Sequence, residues 1–144
     1  MEVQIKECDL TKTIVTISCK EVTGTVKRLK KHIEMFDERV RGKYENEYIY
    51  VNVTDIVYME TVDNRTFLYT GDKVLEVNYK LYELEELLEE HDFFRSSKAQ
   101  IININKIKKL RPEINRTIMA TMCTGEIVYI SRRYAKKLKE LLRI

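Results

Sequence analysis

The segment FFRSSKAQIININKI, residues 93–107, carries the clearest fold signal in this chain. The polar break at 95–100 follows Phe93-Phe94, strands are predicted at about 94–97 and 101–103, and another begins at Ile107. Apolar, β-branched runs of this length are typical of strands, and polar residues between them are typical of the loops that join strands. The stretch therefore predicts consecutive strands whose connecting loop carries arginine, lysine and glutamine side chains.

The segments before this stretch also predict short strands. Turn-forming residues at 62–65 and 71–73 separate the later ones, which indicates hairpins. A helix with leucines on one face and glutamates on the other interrupts the strands, and its acidic face should point away from any nucleic acid. The predicted strands lie at 48–52, 56–60, 66–70 and 74–77, and the helix begins near Leu81.

The segments after residue 107 continue the β pattern to the final helix. Strands are predicted at 107–112, 117–123 and 127–130, with a tight turn at 124–126. Ser131 is a suitable N-cap for a helix over residues 132–142. From residue 45 onward the chain is thus predicted to be mainly β, in the α+β class, with few helices.

The first 44 residues predict a separate β-β-α element. Apolar residues alternate in 2–7 and 13–19, and an apolar stripe at helical spacing runs from Val22 to Val40 and ends at Gly42. An element of this size is too small to be stable alone. It must pack on the rest of the chain or on another subunit. Because the pattern changes to short strands after this element, we divide the chain into 1–44 and 45–144.

Composition excludes several classes of protein. With 144 residues, 44% hydrophobic and 34% charged, the chain has enough apolar residues for one folded domain. No apolar run is long enough to cross a bilayer, and no secretory signal is visible. The three cysteines form no CxxC pair, so we expect reduced thiols in a cytoplasmic protein, without a disulfide framework or a zinc site.

No pattern in the sequence predicts an enzyme or a cofactor. Nucleophile-elbow, zinc-protease and glycine-rich phosphate-binding motifs are absent from the sequence. Glu60 and Asp63 flank a predicted turn, where carboxylates are usually solvated. His32 and His91 each stand alone, and we expect both on helix surfaces rather than at a metal.

The net charge of +3 conceals strong segregation along the chain. Residues 1–45 carry +2, residues 46–92 carry −9, and residues 93–144 carry thirteen basic and three acidic residues, or +10. A basic block of this size is a candidate surface for a polyanion. The alternative is a solvated basic face that neutralises the acidic segment before it.

Four polar connecting segments could supply nucleic-acid contacts. Each offers arginine or lysine beside serine, threonine, asparagine or glutamine, which can bind phosphates or base edges. The start of the final helix adds free N–H groups suited to a phosphate. Most tyrosines lie in predicted strands and no RNA-recognition motif is present, so duplex DNA is favoured over RNA. The segments are 63–66, 95–100, 115–117 and 131–134.

Three motifs give the chain a resemblance to a known family. TDIVYMET at 54–61, FFRSSKAQIININKI at 93–107 and ISRRYAKKLKE at 130–140, with the acidic helix between the first two, resemble the LytTR DNA-binding domain of bacterial transcription regulators. The resemblance covers about residues 45–144. It implies antiparallel strands with few helices, loops inserted into successive major grooves, and binding of two copies to direct repeats.

The resemblance assigns DNA contacts to three loops of this chain. Where members of the family often have His-Asn or His-Lys, this chain has Ser97-Lys98, and its first loop lacks the histidine of some members, which bears on base preference. The charge pattern adds Arg95, Arg116 and Lys136. The residues carried over are Asn64, Arg65, Thr66, Ser97, Lys98, Gln100, Arg132, Arg133 and Tyr134.

The combined prediction is a sequence-specific regulator that binds double-stranded DNA and acts as a homodimer, at least on DNA. Residues 1–44 are too few for a receiver domain, so the chain resembles stand-alone regulators, some of which act with a membrane-protein partner. The β-β-α element is then a candidate for dimerisation or partner binding. The alternative function is a protein-interaction module whose basic face meets an acidic partner.

The DNA-binding prediction requires Arg65, Lys98 and Arg133 to lie along one edge.

Overall fold

Ten β-strands and three α-helices make up the part of the chain described by a computed structural model, residues 1–34, 36, 38–89 and 91–144. The helices are α1 (Gly24–Glu34), α2 (Leu81–Leu87) and α3 (Arg132–Leu142). The strands are β1 (Arg39–Tyr44), β2 (Glu47–Asn52), β3 (Tyr58–Val62), β4 (Arg65–Tyr69), β5 (Val74–Val77), β6 (Phe93–Ser97), β7 (Gln100–Asn103), β8 (Ile107–Pro112), β9 (Ile118–Met122) and β10 (Ile127–Ile130).

The strands form two antiparallel sheets. Seven strands follow the order β2-β1-β5-β4-β3-β7-β6, and three follow the order β10-β9-β8. The mainly β class is therefore confirmed, as are the predicted hairpins around residues 62–65 and 71–73. The final helix also begins after Ser131, as predicted, although the serine side chain makes no capping hydrogen bond.

Two apolar clusters hold these layers together. The first lies between α2 and the seven-stranded sheet and includes Met59, Leu68 and Leu84, each fully buried. The second joins that sheet to the three-stranded sheet and α3, through residues such as Ile102 and Leu138. Since both clusters share β3 and β7, these two strands form the rigid centre from which the loops project.

The N-terminal β-β-α prediction is only partly correct. Residues 2–7 and 13–19 form neither a helix nor a paired strand, so the two predicted strands are not formed. The helix is present, but it ends at Glu34, well before Gly42. Alternating apolar residues do not make a strand where no neighbouring strand accepts its backbone hydrogen bonds.

Gly42 belongs to strand β1 and does not end a helix. Val40 and Gly42 face inward while Arg39, Arg41 and Lys43 face solvent, which is the two-residue period of a strand. A side chain at Gly42 would meet Leu75, whose Cβ lies 2.8 Å from the position of an added Cβ. β1 also places residues 39–44 in the seven-stranded sheet, between β2 and β5.

The two histidines differ from each other in environment. His32 is exposed on α1, as predicted. His91 was expected on a helix surface, but it is 6% exposed, and its Nε2 lies 2.6 Å from Glu38 Oε2. The prediction for His91 was wrong because the chain turns inward after α2, with the His91 N–H donating to the Leu88 carbonyl. Its Nδ1 is buried and has no hydrogen-bond partner among the described residues.

Candidate nucleic-acid interface

The turn between β3 and β4 presents Asn64 at its tip. Asp63 and Asn64 have φ values of 51° and 62°, in the left-handed region that short polar side chains tolerate. Positive φ at both central residues is the geometry of a type I′ hairpin, which matches the twist of the flanking strands. Asn64 is exposed, and Arg65, the first residue of β4, follows it directly.

Arg65 is exposed but already has a carboxylate partner. Its Nε and Nη2 donate to the two oxygens of Glu76 at 3.0 and 2.6 Å, and its guanidinium lies 5.3 Å from the ring centre of Phe67. The hydrogen bonds and charge of Glu76 raise the pKa of Arg65, and those from Arg65 lower the pKa of Glu76. Arg65 can therefore reach DNA only by sharing or leaving Glu76.

Thr66 does not present its side chain to solvent. It is 5% exposed, and its Oγ1 lies 3.4 Å from Thr61 Oγ1 on the neighbouring strand. The resemblance placed Thr66 among the DNA contacts, but strand alternation turns it inward next to the exposed Arg65. We therefore leave Thr66 out of the proposed contact set.

The turn between β6 and β7 presents Lys98, which is exposed at its tip. Arg95 lies behind the turn: its Nε donates to the Ser97 carbonyl at 2.8 Å and its Nη2 to the Lys98 carbonyl at 2.5 Å. Its Nη1 pairs with Glu85 of α2 at 2.8 Å. Both Arg95 and the Ser97 hydroxyl, which accepts from the Ala99 N–H, thus shape the turn that carries Lys98.

Gln100 is also held by the protein. Its Nε2 donates to Glu60 Oε2 at 3.1 Å, and the hydroxyl of Tyr69 donates to the other oxygen of Glu60. Tyr69 stacks on Tyr58 with ring centres 4.2 Å apart. Burial, with the Glu60 hydrogen bond, raises the pKa of Tyr69 to about 12. In this position Gln100 braces the β6–β7 turn against β3.

Backbone hydrogen bonds bring the predicted loops to the same end of the sheet. The Thr61 N–H donates to the Ala99 carbonyl at 2.9 Å, which joins the end of β3 to the β6–β7 turn. The Ser131 N–H donates to the Ser96 carbonyl at 3.0 Å, which joins that turn to the start of α3. Asn64, Lys98 and the first turn of α3 therefore lie at the same end of the sheet, although Ser131 follows Asn64 by 67 positions in the sequence.

The fourth predicted segment adds a cation to the start of α3. Ile118 pairs with Ile130, so the β8–β9 turn lies beside the junction between β10 and α3. Arg116, in this turn, has a φ of 68° and is exposed. The shallow groove between the turn and α3 is lined by Arg116, Arg132, Arg133, Ala135, Lys136 and Lys139.

This cationic groove, residues 116, 132, 133, 136 and 139, has the chemistry of a phosphate-binding surface. No acidic residue lies in the first turn of α3, and no side chain caps its start. A positively charged helix N-terminus then faces the same side as the basic side chains. Lys139 was missed from the sequence, where the spacing 132, 136 and 139 on one helical face was the available signal.

Tyr134 and Lys137 lie on another side of α3. Tyr134 is half-buried against the second apolar cluster, with the Arg133 guanidinium 5.5 Å from its ring centre. Lys137 lines a groove toward α2 with Glu85, Glu86 and Glu89. Lys137 is therefore separated from the cationic groove. Tyr134 is placed to hold the Arg133 guanidinium through its ring rather than to contact DNA.

Of the twelve predicted contacts, seven are exposed and one, Thr66, is buried. The half-buried residues are Arg95, Ser97, Gln100 and Tyr134, and the exposed ones are Asn64, Arg65, Lys98, Arg116, Arg132, Arg133 and Lys136. Among the described ion pairs, Arg95 pairs with Glu85 of the glutamate-rich helix α2, whereas Arg65, Lys98 and Arg133 do not pair with this helix. Arg65, Lys98 and Arg133 lie in segments that meet at the same end of the sheet, and their alignment along one edge and their roles on DNA stay predictions.

Other kinds of site find no support in the described residues. These residues contain no group of three or more histidine, cysteine or acidic side chains that could hold a metal ion. Cys8, Cys19 and Cys123 are free and exposed. None of the helices in the described ranges has the length and apolar character needed to span a membrane.

We predict that Arg95→Ala lowers stability by about 1–3 kcal/mol, because it removes charge-assisted hydrogen bonds behind the β6–β7 turn. Arg95→Lys should fail to restore this stability, since an ammonium cannot span the Ser97 and Lys98 carbonyls as a guanidinium does. Chemical denaturation of both variants measures the effect. Unchanged stability of both would show that Arg95 does not brace the turn.

Comparison with known proteins points to one family. The model of the LytTr DNA-binding domain matches residues 46–143. A LytT sensory transduction protein from Bacillus anthracis is 38% identical over 100 residues, which are 69% of this chain and 41% of that protein. The chain thus spans about two-fifths of the length of this relative.

A shorter relative and a solved structure agree with this match. An uncharacterized HTH-type transcriptional regulator from Staphylococcus aureus is 34% identical over 103 residues, covering 72% of this chain and 69% of that protein. A solved LytTr DNA-binding domain from Bacillus cereus superposes with a TM-score of 0.71 at 30% identity. It covers 75% of this chain and 99% of the solved chain.

Proposed function

Because this chain belongs to the LytTr DNA-binding domain family, we propose that it is a transcriptional regulator that binds double-stranded DNA in a sequence-specific manner. The observation that carries the proposal is the convergence of Lys98, Arg65 and the cationic groove at one end of the sheet. A sheet that presents several cationic segments at one end suits a duplex, whose phosphates are regularly spaced.

The exposure of each side chain suggests which residues enter a groove of the DNA and which contact its phosphates. Asn64 and Lys98 lie at the tips of two turns and Arg133 lies in the first turn of α3, and all three are exposed and placed to enter a groove. Arg116, Arg132, Lys136 and Lys139 are placed to neutralise phosphates beside them. Arg65 has to exchange Glu76 for DNA, so we assign it a smaller net contribution.

We further propose that two copies bind direct repeats and that the protein acts as a homodimer in the bacterial cytoplasm. The resemblance to stand-alone regulators supports this arrangement. A membrane-protein partner for the N-terminal residues stays a prediction. We propose no catalytic activity and no cofactor.

The test is selection of bound fragments from a random duplex pool, followed by titration of a selected duplex against an unrelated one. We expect a preferred sequence and steep salt dependence, because each neutralised phosphate releases counterions. With about five phosphates neutralised, affinity should fall roughly 500-fold between 50 and 200 mM salt. Absence of any retained fragment at low salt would favour the rival function, a protein-interaction module that binds an acidic partner through the same groove.

A further inference from the structure

We propose that residues 1–34 of one copy fold against the same residues of a second copy. Each chain contributes two strands, at 2–7 and 13–19, to a shared four-stranded sheet, and one helix, α1, that covers it. This N-terminal layer gives the two-copy protein its dimer contact. The proposal extends the homodimer suggested above but concerns association without DNA, so it can fail or succeed independently of DNA binding.

The first observation is the exposure of apolar side chains before β1. Among the described residues before β1, eight large apolar residues are each more than half exposed. Solitary exposed apolar residues are common, but this number within 36 residues is not, and it marks an interaction surface. Seven of them lie in residues 1–34, namely Met1, Val3, Ile5, Leu10, Ile14, Val15 and Val22, and the eighth is Phe36.

The second observation is that the segments have the sequence of strands but lack partners. Residues 13–19, Thr-Ile-Val-Thr-Ile-Ser-Cys, carry no charge and are bounded by Lys12 and Lys20. A two-stranded hairpin is only marginally stable, whereas more strands with a covering helix are stable. Two copies supply four strands and two helices, which explains why one chain leaves these segments unpaired.

The third observation is the position of α1 on the molecule. Thr25, Arg28, Leu29 and His32 line a groove with Asp92, Asn105 and the last turn of α3. The last turn of α3 and the start of β6 lie at the opposite end from Lys98 and Arg133. A dimer formed through this layer therefore leaves both DNA-binding ends open.

The apolar exposure and the lack of charge favour a second copy over an unrelated partner. A standard stable interface takes roughly 800 Å² from each partner, and the exposed apolar side chains before β1 supply a surface that a second copy can cover. A segment without charge can pair with its own copy without like charges facing each other. A two-fold axis then buries the same surface on both chains.

The cysteines of the chain provide the experiment. Cys19 follows Val15 and Ile17 on one face of the proposed strand, which the helices would cover, whereas Cys123 lies outside the layer. A Cys8→Ser/Cys123→Ser protein reports on Cys19, and a Cys8→Ser/Cys19→Ser protein is the matched control. Sedimentation gives the mass and a thiol reagent gives the reaction rate across protein concentration, both without DNA.

We expect a mass of twice 17.2 kDa at high concentration, with Cys19 reacting at least tenfold more slowly there than on dilution. The rate for Cys123 should not change. A mass of 17.2 kDa at about 100 µM would overturn the proposal. So would protection of Cys19 that is independent of concentration, because the segments would then close within a single chain.

Point variants give a second measurement that does not depend on labelling. Ile17→Asp places a charge on the covered face and should convert the dimer to a monomer. Thr16→Asp places the same charge on the opposite face of the strand and should leave the dimer intact. Dimers of equal stability in both variants would overturn the proposal.

Discussion

Arg133→Ala is expected to weaken binding of the selected duplex by about 1–3 kcal/mol, or roughly fivefold to 150-fold. Arg133 is exposed at the start of α3, beside Arg116, Arg132 and Lys136. It has no carboxylate partner among the described ion pairs, in contrast to Arg65. Its guanidinium is therefore available to DNA without the loss of an internal ion pair.

The control for this variant is Lys137→Ala, which removes the same charge from the same helix. Lys137 faces the glutamates of α2, so we expect a change in affinity of less than threefold. Fluorescence anisotropy with a labelled duplex measures both variants at one salt concentration. Equal losses in the two variants would mean that only net charge matters and that the cationic groove has no special role.

The same variant also distinguishes base reading from phosphate binding. If Arg133 contacts a guanine, repeating the duplex selection with Arg133→Ala should relax specificity at one base pair. If it contacts a phosphate, affinity should fall uniformly for all sequences and the salt slope should decrease by about one. Either result identifies the contact, whereas unchanged binding would remove Arg133 from the interface.

Gly42→Val is expected to destabilise the fold by about 2–3 kcal/mol through overpacking. The added Cβ would lie 2.8 Å from both Cβ and Cδ2 of Leu75 and 3.3 Å from Val77 Cγ1. β1 and β5 are joined by the single register pair of Lys43 with Glu76, so β1 can move away and the first apolar cluster loses its cover. We expect a fall in Tm of roughly 6–12 °C.

Gly71→Val is the matched control, because nothing lies within 4 Å of a Cβ added at Gly71 and its φ is not in the left-handed region. Its Tm should stay within a few degrees of the parent protein. Thermal unfolding followed by circular dichroism measures both variants. Equal Tm values for Gly42→Val and the parent would show that β5 does not approach β1 closely.

Between β2 and α3, the strands and the basic loops that join them could be recognised from the sequence. From β2 to α3 each element has a local signal: a two-residue apolar period, a turn pair such as Asp63-Asn64, or the serine before α3. These signals act over a few residues, so they can be recognised without knowledge of the rest of the chain. They also identified Lys98 and Arg133 as exposed cations.

Only the tertiary structure decided what each loop side chain does. Arg95 braces a turn through Ser97 and Lys98, Arg65 holds Glu76 eleven residues away, and Thr66 faces inward. The tertiary structure also explains the glycine at position 42. Leu75 on the neighbouring strand leaves no room for a side chain there. Residues 2–19 show the same dependence, since a strand exists only where a second strand accepts its hydrogen bonds. Periodicity reports which face of a segment is apolar, but partners distant in sequence determine what that face meets.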